Sequence, residues 1–275
     1  MPFDPVKLQK QLDAQVKKAS SGAGVDVSKQ LERQYGSGLI KQYVTPVTKD
    51  IEKTVYPFLE KEEPFYIKNY DPSDLQALIN GLRQQWRILD SEAEKIARQM
   101  ADRTNEFNRE KFVKNINKAI GVDVTDILAD SNIEGALNSS VQANVSLIKD
   151  MPQTQIDRIQ SIVMQGVDGG HDFFSIKKQL RKVDGISKRR ARLIARDQVS
   201  KLNGALNQIR QDDLGITHYI WRTSEDERVR ETHQENNGKR FAWDSPPAET
   251  GHPGEDIQCR CTADPDLRGM RIIRP

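Results

Sequence analysis

The sequence predicts a mainly α-helical protein that ends in a small α+β module, with an N-terminal arm ahead of an elongated helical body. Three observations carry this reading. Through the middle of the chain apolar residues recur at spacings of three and four, the period of helices with one buried face. Only 36% of the 275 residues are hydrophobic against 30% charged, and the mean hydropathy is −0.71, a balance suited to long solvated helices. After Leu214-Gly215 the pattern changes to β-branched and aromatic residues separated by Gly and Pro turns. The expected divisions are an arm and linker at 1–72, a helical body at 73–214 and the module at 215–275.

The arm begins with a helix over Val6–Lys18 and a break at Ser20-Ser21-Gly22-Ala23-Gly24. A second helical stretch covers Val27–Val55, with Pro46 as its stop or kink, and Pro57 and Pro64 mark an extended connection. The arm reads either as a mobile tail or as a segment that orders on a partner. In the body, Ser73 caps a helix carrying Leu75, Leu78, Leu82, Trp86 and Leu89. Asp90 and Ser91 start the next, with Ile96, Met100, Phe107, Val113, Ile116 and Ile120 up to Gly121. Ser131 and Glu134 form a capping-box pattern before Leu137, Val141, Val145 and Ile148, and Met151-Pro152 ends that helix. Ile156, Ile159 and Val163 begin another, closed by Gly166, Gly169 and Gly170, and Phe173, Ile176, Leu180 and Val183 follow. These stripes read as core.

Between Lys177 and Arg196 stand nine lysines and arginines against Asp184 alone, and the helix after Gly185 places Arg189, Arg192 and Arg196 on one face. That stripe is either a solvated face or a surface for phosphates or an acidic partner. No aromatic residue interleaves it, so base stacking is not indicated.

The module reads as a strand at Thr217–Thr223, a short helix from Glu225 to Gln234 capped by Ser224, a turn at Asn236-Asn237-Gly238, a strand at Lys239–Trp243, a loop at Ser245–Gly254 and a third strand at Ile257–Ala263. Both cysteines and two of the four histidines fall in residues 221–263. On the short helix Asp226, Arg230 and His233 share a face, so Asp226 can hold the Arg230 guanidinium. Cys259 and Cys261, two apart on a strand, point to one side with Arg260 opposite. With His233 and His252 they offer four ligands of the kind that hold structural zinc, so zinc is the candidate cofactor. The spacing matches no familiar zinc finger, and the competing reading is a metal-free cluster of buried cysteines and hydrogen-bonded histidines. A disulfide across C-x-C would be strained.

The net charge of +2 argues for no general nucleic-acid field. No stretch approaches the ~20 apolar residues of a membrane span. The start MPFDPVKLQKQLD has no signal-peptide core, so a reducing cytoplasm is the expected compartment. No nucleophile elbow, P-loop or dinucleotide fingerprint is present. A Cys/His nucleophile pair, or a histidine-based metal nuclease, has weaker support because paired acidic ligands are not placed for it.

The succession Ile194-Ala195-Arg196-Asp197, Asn203, then Trp221, Thr223, Asp226, Arg228, Arg230 and His233, then Gly238, Pro246-Pro247, His252-Pro253-Gly254 and Cys259-Arg260-Cys261 resembles the minor head protein family of tailed phages, typified by phage Mu protein F. The likeness is specific over about 142–265, looser over 90–144 and absent from the first 70 residues. It implies a head-morphogenesis protein that associates with the portal vertex, in few copies, and acts in head assembly and genome packaging or delivery. Expected partners are the portal protein, a major capsid or scaffolding protein, and double-stranded DNA contacted non-specifically, without membrane or small-molecule substrate. The expected locations are the host cytoplasm during assembly, then the virion head. No catalytic activity follows from the resemblance. Trp221, Asp226, Arg228, Arg230, Gly238 and Arg260 are expected as structural supports of the cluster. The alternative is a metal-dependent nuclease or toxin-like effector built on the same Asp/Arg/His/Cys cluster.

Overall fold

The computed structural model describes residues 10, 13, 23–61, 72–87, 90–128, 131–268 and 270. In order these form α1 (Lys29–Leu39), a π turn (Ile40–Val44), α2 (Thr45–Lys61), α3 (Pro72–Arg87), α4 (Asp90–Ile120), α5 (Glu134–Asp168), α6 (Phe173–Asp213), β1 (His218–Arg222), α7 (Glu231–Asn236), β2 (Arg240–Ala242) and β3 (Thr262–Pro265). The expected helix at Val6–Lys18 and the connection around Pro64 lie outside the described residues, apart from Lys10 and Asp13, which are helical. None of the described helices is long and apolar enough to cross a membrane.

The chain divides into two compact units, each built from separated stretches: 1–31, 98–140 and 196–275 in one, 32–97 and 141–195 in the other. In the second unit the predicted stripes meet. Leu75, Leu82 and Trp86 of α3, Ile156, Ile159 and Val163 of α5, and Phe173, Ile176, Leu180 and Val183 of α6 share one core. Val47, Ile51, Val55 and Leu59 of α2 complete it, so part of the segment read as an arm is itself core. Each such side chain contributes about 1.5–3 kcal/mol on burial.

The proline and glycine signals are overridden in four places. Pro46 does not stop the helix, because the turn before it widens: the Thr45 N–H bonds Ile40 O, five residues back. A π turn makes room for a ring that would otherwise strike the carbonyl one turn earlier. Pro57 lies inside α2 rather than in an extended connection. Pro152 lies inside α5, with Ile148 and Met151 buried before it and Ile156 and Ile159 after it. Burying both sides outweighs a helix-interior proline penalty of about 3 kcal/mol. Gly185 likewise sits within α6. The capping box also fails to form: α5 starts at Glu134, whose carboxylate takes the Arg98 guanidinium at 3.0 Å.

In the first unit a three-stranded antiparallel sheet has the order β2-β1-β3, with Tyr219 opposite Phe241 on one side and Trp221 opposite Ala263 on the other. Val25 enters an apolar cluster with Phe112, Ile116, Leu214 and Ile216. The Gly24 N–H bonds Asp264 Oδ1 at 2.9 Å, and a Cβ on Gly24 would lie 2.6 Å from Ala263 O, so only glycine fits there. Asn203 Nδ2 donates to Val25 O at 2.7 Å and Asn207 Nδ2 to the same oxygen at 3.1 Å. The Asn in the family-like pattern is therefore a bolt between α6 and the chain ahead of α1.

Asp266 locks the end of the sheet. Its side chain is fully buried and accepts from Arg240 Nε at 2.5 Å and Arg268 Nε at 2.8 Å. Burial opposes its charge, but the Arg268 and Arg240 hydrogen bonds prevail and hold the carboxyl below its ordinary range. A carboxyl depressed in the folded state stabilises above its unfolded value, about pH 4, and that stability is lost as pH falls through the lower folded value. Asp266→Asn is therefore expected to cost about 1–2 kcal/mol at pH 7, a figure discounted because both arginines are half exposed. Urea unfolding should show the difference shrinking at pH 3. An equal difference at both pH values would remove Asp266 from this role.

Candidate metal centre and arginine pocket

The site is laid on one polar face of α6. Asp197 Oδ1 accepts the Gln258 N–H at 2.8 Å, and Ser200 Oγ donates to Cys259 O. At Gly204 the loop passes so closely that a Cβ would sit 2.7 Å from Pro253 O. Gln211 accepts from the Trp243 indole at 3.1 Å and donates to Ala263 O at 2.9 Å. Gln258 stands at φ +60, a left-handed conformation that costs a non-glycine residue roughly 1 kcal/mol and is held here by Asp197. The Cys-Arg-Cys segment therefore leaves a bend and precedes β3, rather than lying on the strand expected at Ile257–Ala263.

From that bend both thiols converge on one histidine. His233 Nδ1 lies 3.4 Å from Cys261 Sγ and 3.5 Å from Cys259 Sγ, and the ligand atoms of the three residues lie within 4.8 Å of one another. A zinc ion bonded tetrahedrally to sulfur at ~2.3 Å and nitrogen at ~2.1 Å would separate those atoms by about 3.6 Å. All three side chains are buried. His233 Nε2 meets Asp256 Oδ2 at 2.9 Å, which places the ring proton on Nε2 and turns the Nδ1 lone pair to the sulfurs.

Backbone donors address the sulfurs as well. The Gly254 and Cys261 N–H groups each point at Cys259 Sγ at 3.4 Å. The neighbouring Cys261 thiol, ahead of the opposing burial, lowers Cys259 to about 6, with those two N–H groups adding to the effect. Cys261 is pushed up, first by Cys259 and then by burial, while the Trp221 indole and the Ser224 N–H work in the other direction. Without a metal the pair therefore keeps a proton on Cys261, and two thiolates side by side would need a cation of the kind a divalent metal supplies.

Trp221 is fully buried at the centre of the module core, its ring set edge-on to His233 at 5.4 Å. Gly238, at φ +77, closes the turn into β2 and donates its N–H to Trp221 O at 2.8 Å.

Four expectations are corrected. His252 is not brought to the cluster: its Nδ1 meets the Tyr219 hydroxyl at 3.0 Å and its ring packs on Trp243 at 4.9 Å, so it belongs to the aromatic core. The helix expected over Glu225–Gln234 is only α7, Glu231–Asn236. Glu225 at φ +54 and the Asp226 carboxylate bonding the Arg228 N–H turn the preceding residues into a bend. Asp226 and Arg230 consequently take other partners. Arg260 pairs with Asp226 at 3.2 Å, while Arg230 pairs with Asp256 at 3.2 Å and donates to Ile257 O at 2.7 Å. Finally, the basic stripe is not uniform: Arg189 and Arg192 are exposed, whereas Arg196 is half-buried and reaches Gln258 Oε1 at 3.5 Å.

Beside the cluster opens a cavity of about 180 Å³. Arg196, Arg228, Arg230 and Arg260 line it together with His233 and both cysteines. Asp256, Asp197, Ser200, Gly204 and Gln211 were absent from the sequence-level site. The readable trace of the last four was their spacing of 3, 4 and 7 along one helix, a polar stripe beside the apolar one.

Residues 157–264 match the family model described as Phage Mu protein F like protein. The chain is also similar to an uncharacterized protein of Haemophilus influenzae, 35% identical over 248 residues, which are 88% of this chain and 55% of the relative. The chain thus spans about half the length of that relative. No solved structure matches it.

Proposed function

Because residues 157–264 belong to the phage Mu protein F-like family, we propose that the chain is a minor capsid, head-morphogenesis protein of a tailed phage. In this reading it is bound at the portal vertex and acts in head assembly and genome packaging or delivery. The observation that supports it best is where the match falls. It spans the polar face of α6, β1, β2 and the Cys-Arg-Cys bend, so the stretch that carries the site lies inside the matched range. The module's role is structural in this reading. Asp226 and Asp256, the carboxylates beside the cluster, are both held by arginines and so are poorly placed as general bases. Zinc is the ion proposed for His233, Cys259 and Cys261, and it would clamp α7 to the bend ahead of β3.

Removing residues 1–72 is not a clean test of partner binding, since it strips Val25 and Asp26 from the unit that carries the module. The full chain is the better reagent. Tagged protein co-expressed with the portal protein of its own phage is expected to co-purify with it and to appear in purified heads. Absence from both heads and portal complexes would overturn the reading.

A further inference from the structure

The cluster supplies three ligand atoms, and among the described residues no fourth His, Cys or carboxylate joins them. The second imidazole that the sequence offers is spent elsewhere, since His252 meets the Tyr219 hydroxyl and packs on Trp243. Zinc held by three protein ligands keeps one position for another donor. His233, Cys259 and Cys261 all line the neighbouring cavity, so an ion held by them borders that space.

The charges around the cavity decide what this position accepts. Arg260 pairs with Asp226, Arg230 pairs with Asp256, and Arg196 reaches Gln258 Oε1. Arg228, the remaining arginine of the lining, is exposed, where solvent screens its charge. The two thiolates already neutralise a divalent ion. An anionic fourth ligand would bring a charge for which the site holds no partner, and that is costly beside buried groups. A neutral donor carries no such cost, and an imidazole nitrogen is the neutral side-chain donor that suits zinc.

We infer that the metal centre is an open site whose fourth position takes a neutral nitrogen donor, an imidazole, from outside the fold through this cavity. The inference rests on the metal reading above and adds the missing ligand. The entering donor completes a set of two cysteines and two histidines, which this chain does not assemble alone. It comes either from a free small molecule or from a second copy of the chain. Of the four histidines only His171, between α5 and α6, is exposed.

The test uses full-length protein loaded with cobalt(II), whose visible bands report the ligands at the metal. Imidazole is titrated while bound cobalt is measured, which separates ligation from stripping of the ion. A saturable shift of the bands at constant cobalt content is expected. Ile257 lines the cavity and is 64% exposed. Ile257→Trp is expected to raise the imidazole needed for half the shift about tenfold by crowding the entrance, with cobalt content unchanged. Spectra without imidazole, compared across protein concentration, identify the source. A concentration-dependent shift that His171→Ala removes assigns the donor to a second copy. Bands that respond to imidazole but not to protein concentration assign it to a free donor. An Ile257→Trp titration that matches the wild type overturns entry through this cavity. Bound cobalt whose bands respond to neither imidazole nor concentration overturns the open position and leaves the metal reading standing. Failure to take up cobalt overturns both.

Discussion

Protein purified without chelator is expected to carry about one zinc per chain, and Cys259→Ser and His233→Ala should each lose it. This is the largest effect anticipated, because a metal bound only by the folded state contributes its binding free energy to folding. For structural zinc in small domains that energy is about 10–16 kcal/mol. Here the module also docks on α6 through Asp197, Ser200 and Gln211, so only part of the fold depends on the ion. The expected phenotype is protease sensitivity confined to about 221–262, with the core of α2, α3 and α5 still resistant. His252→Ala is the discriminating control. It removes a Tyr219 contact and should cost packing while retaining the zinc. Zinc loss in His252→Ala would restore the four-ligand Cys/His site, and a metal-free, protease-resistant wild type would dismiss zinc altogether.

Asn108→Leu is expected to destabilise the first unit by about 3–5 kcal/mol, the usual result of stripping a buried charge of its partner. Arg210 is 1% exposed, and among the described residues its hydrogen-bond acceptors are Asn108 and Asn105, neither of them a carboxylate. Its Nη1 donates to Asn108 Oδ1 at 2.5 Å and its Nη2 to Asn105 Oδ1 at 2.5 Å. Burial and then Arg109 lower this guanidinium to about 10, against the pull of Asp213, so it stays charged at neutral pH. Asn108 Nδ2 also donates to Asn203 Oδ1 at 2.9 Å, Asn207 Oδ1 at 3.0 Å and Asn203 O at 3.5 Å, so one substitution breaks four hydrogen bonds. Adding Arg210→Met should recover part of the loss, because the charge then no longer needs an acceptor. Urea unfolding of the two single variants and the double variant measures this coupling. A loss below about 1 kcal/mol for Asn108→Leu, or strict additivity, would mean that Arg210 finds another partner.

The helical body and the stripes that face inward were readable from spacing alone, because the buried side of a helix must repeat at its own period. Leu75, Leu82 and Trp86 are core for that reason. The rare residues of the last sixty positions likewise marked the site, since packing does not by itself gather His, Cys and Trp into one stretch. Where helices continue was a tertiary decision. Pro46, Pro152 and Gly185 carry local penalties of a few kcal/mol at most, and burial on both sides outweighs them. The ligand set was also decided in three dimensions. His233 and His252 are equivalent candidates in a sequence, yet one ring is turned to the sulfurs by Asp256 and the other is taken by Tyr219 and Trp243. The choice depends on hydrogen bonds between segments distant along the chain. No spacing rule encodes those, because they exist only after α6 has brought Gln258 and Cys259 onto Asp197 and Ser200.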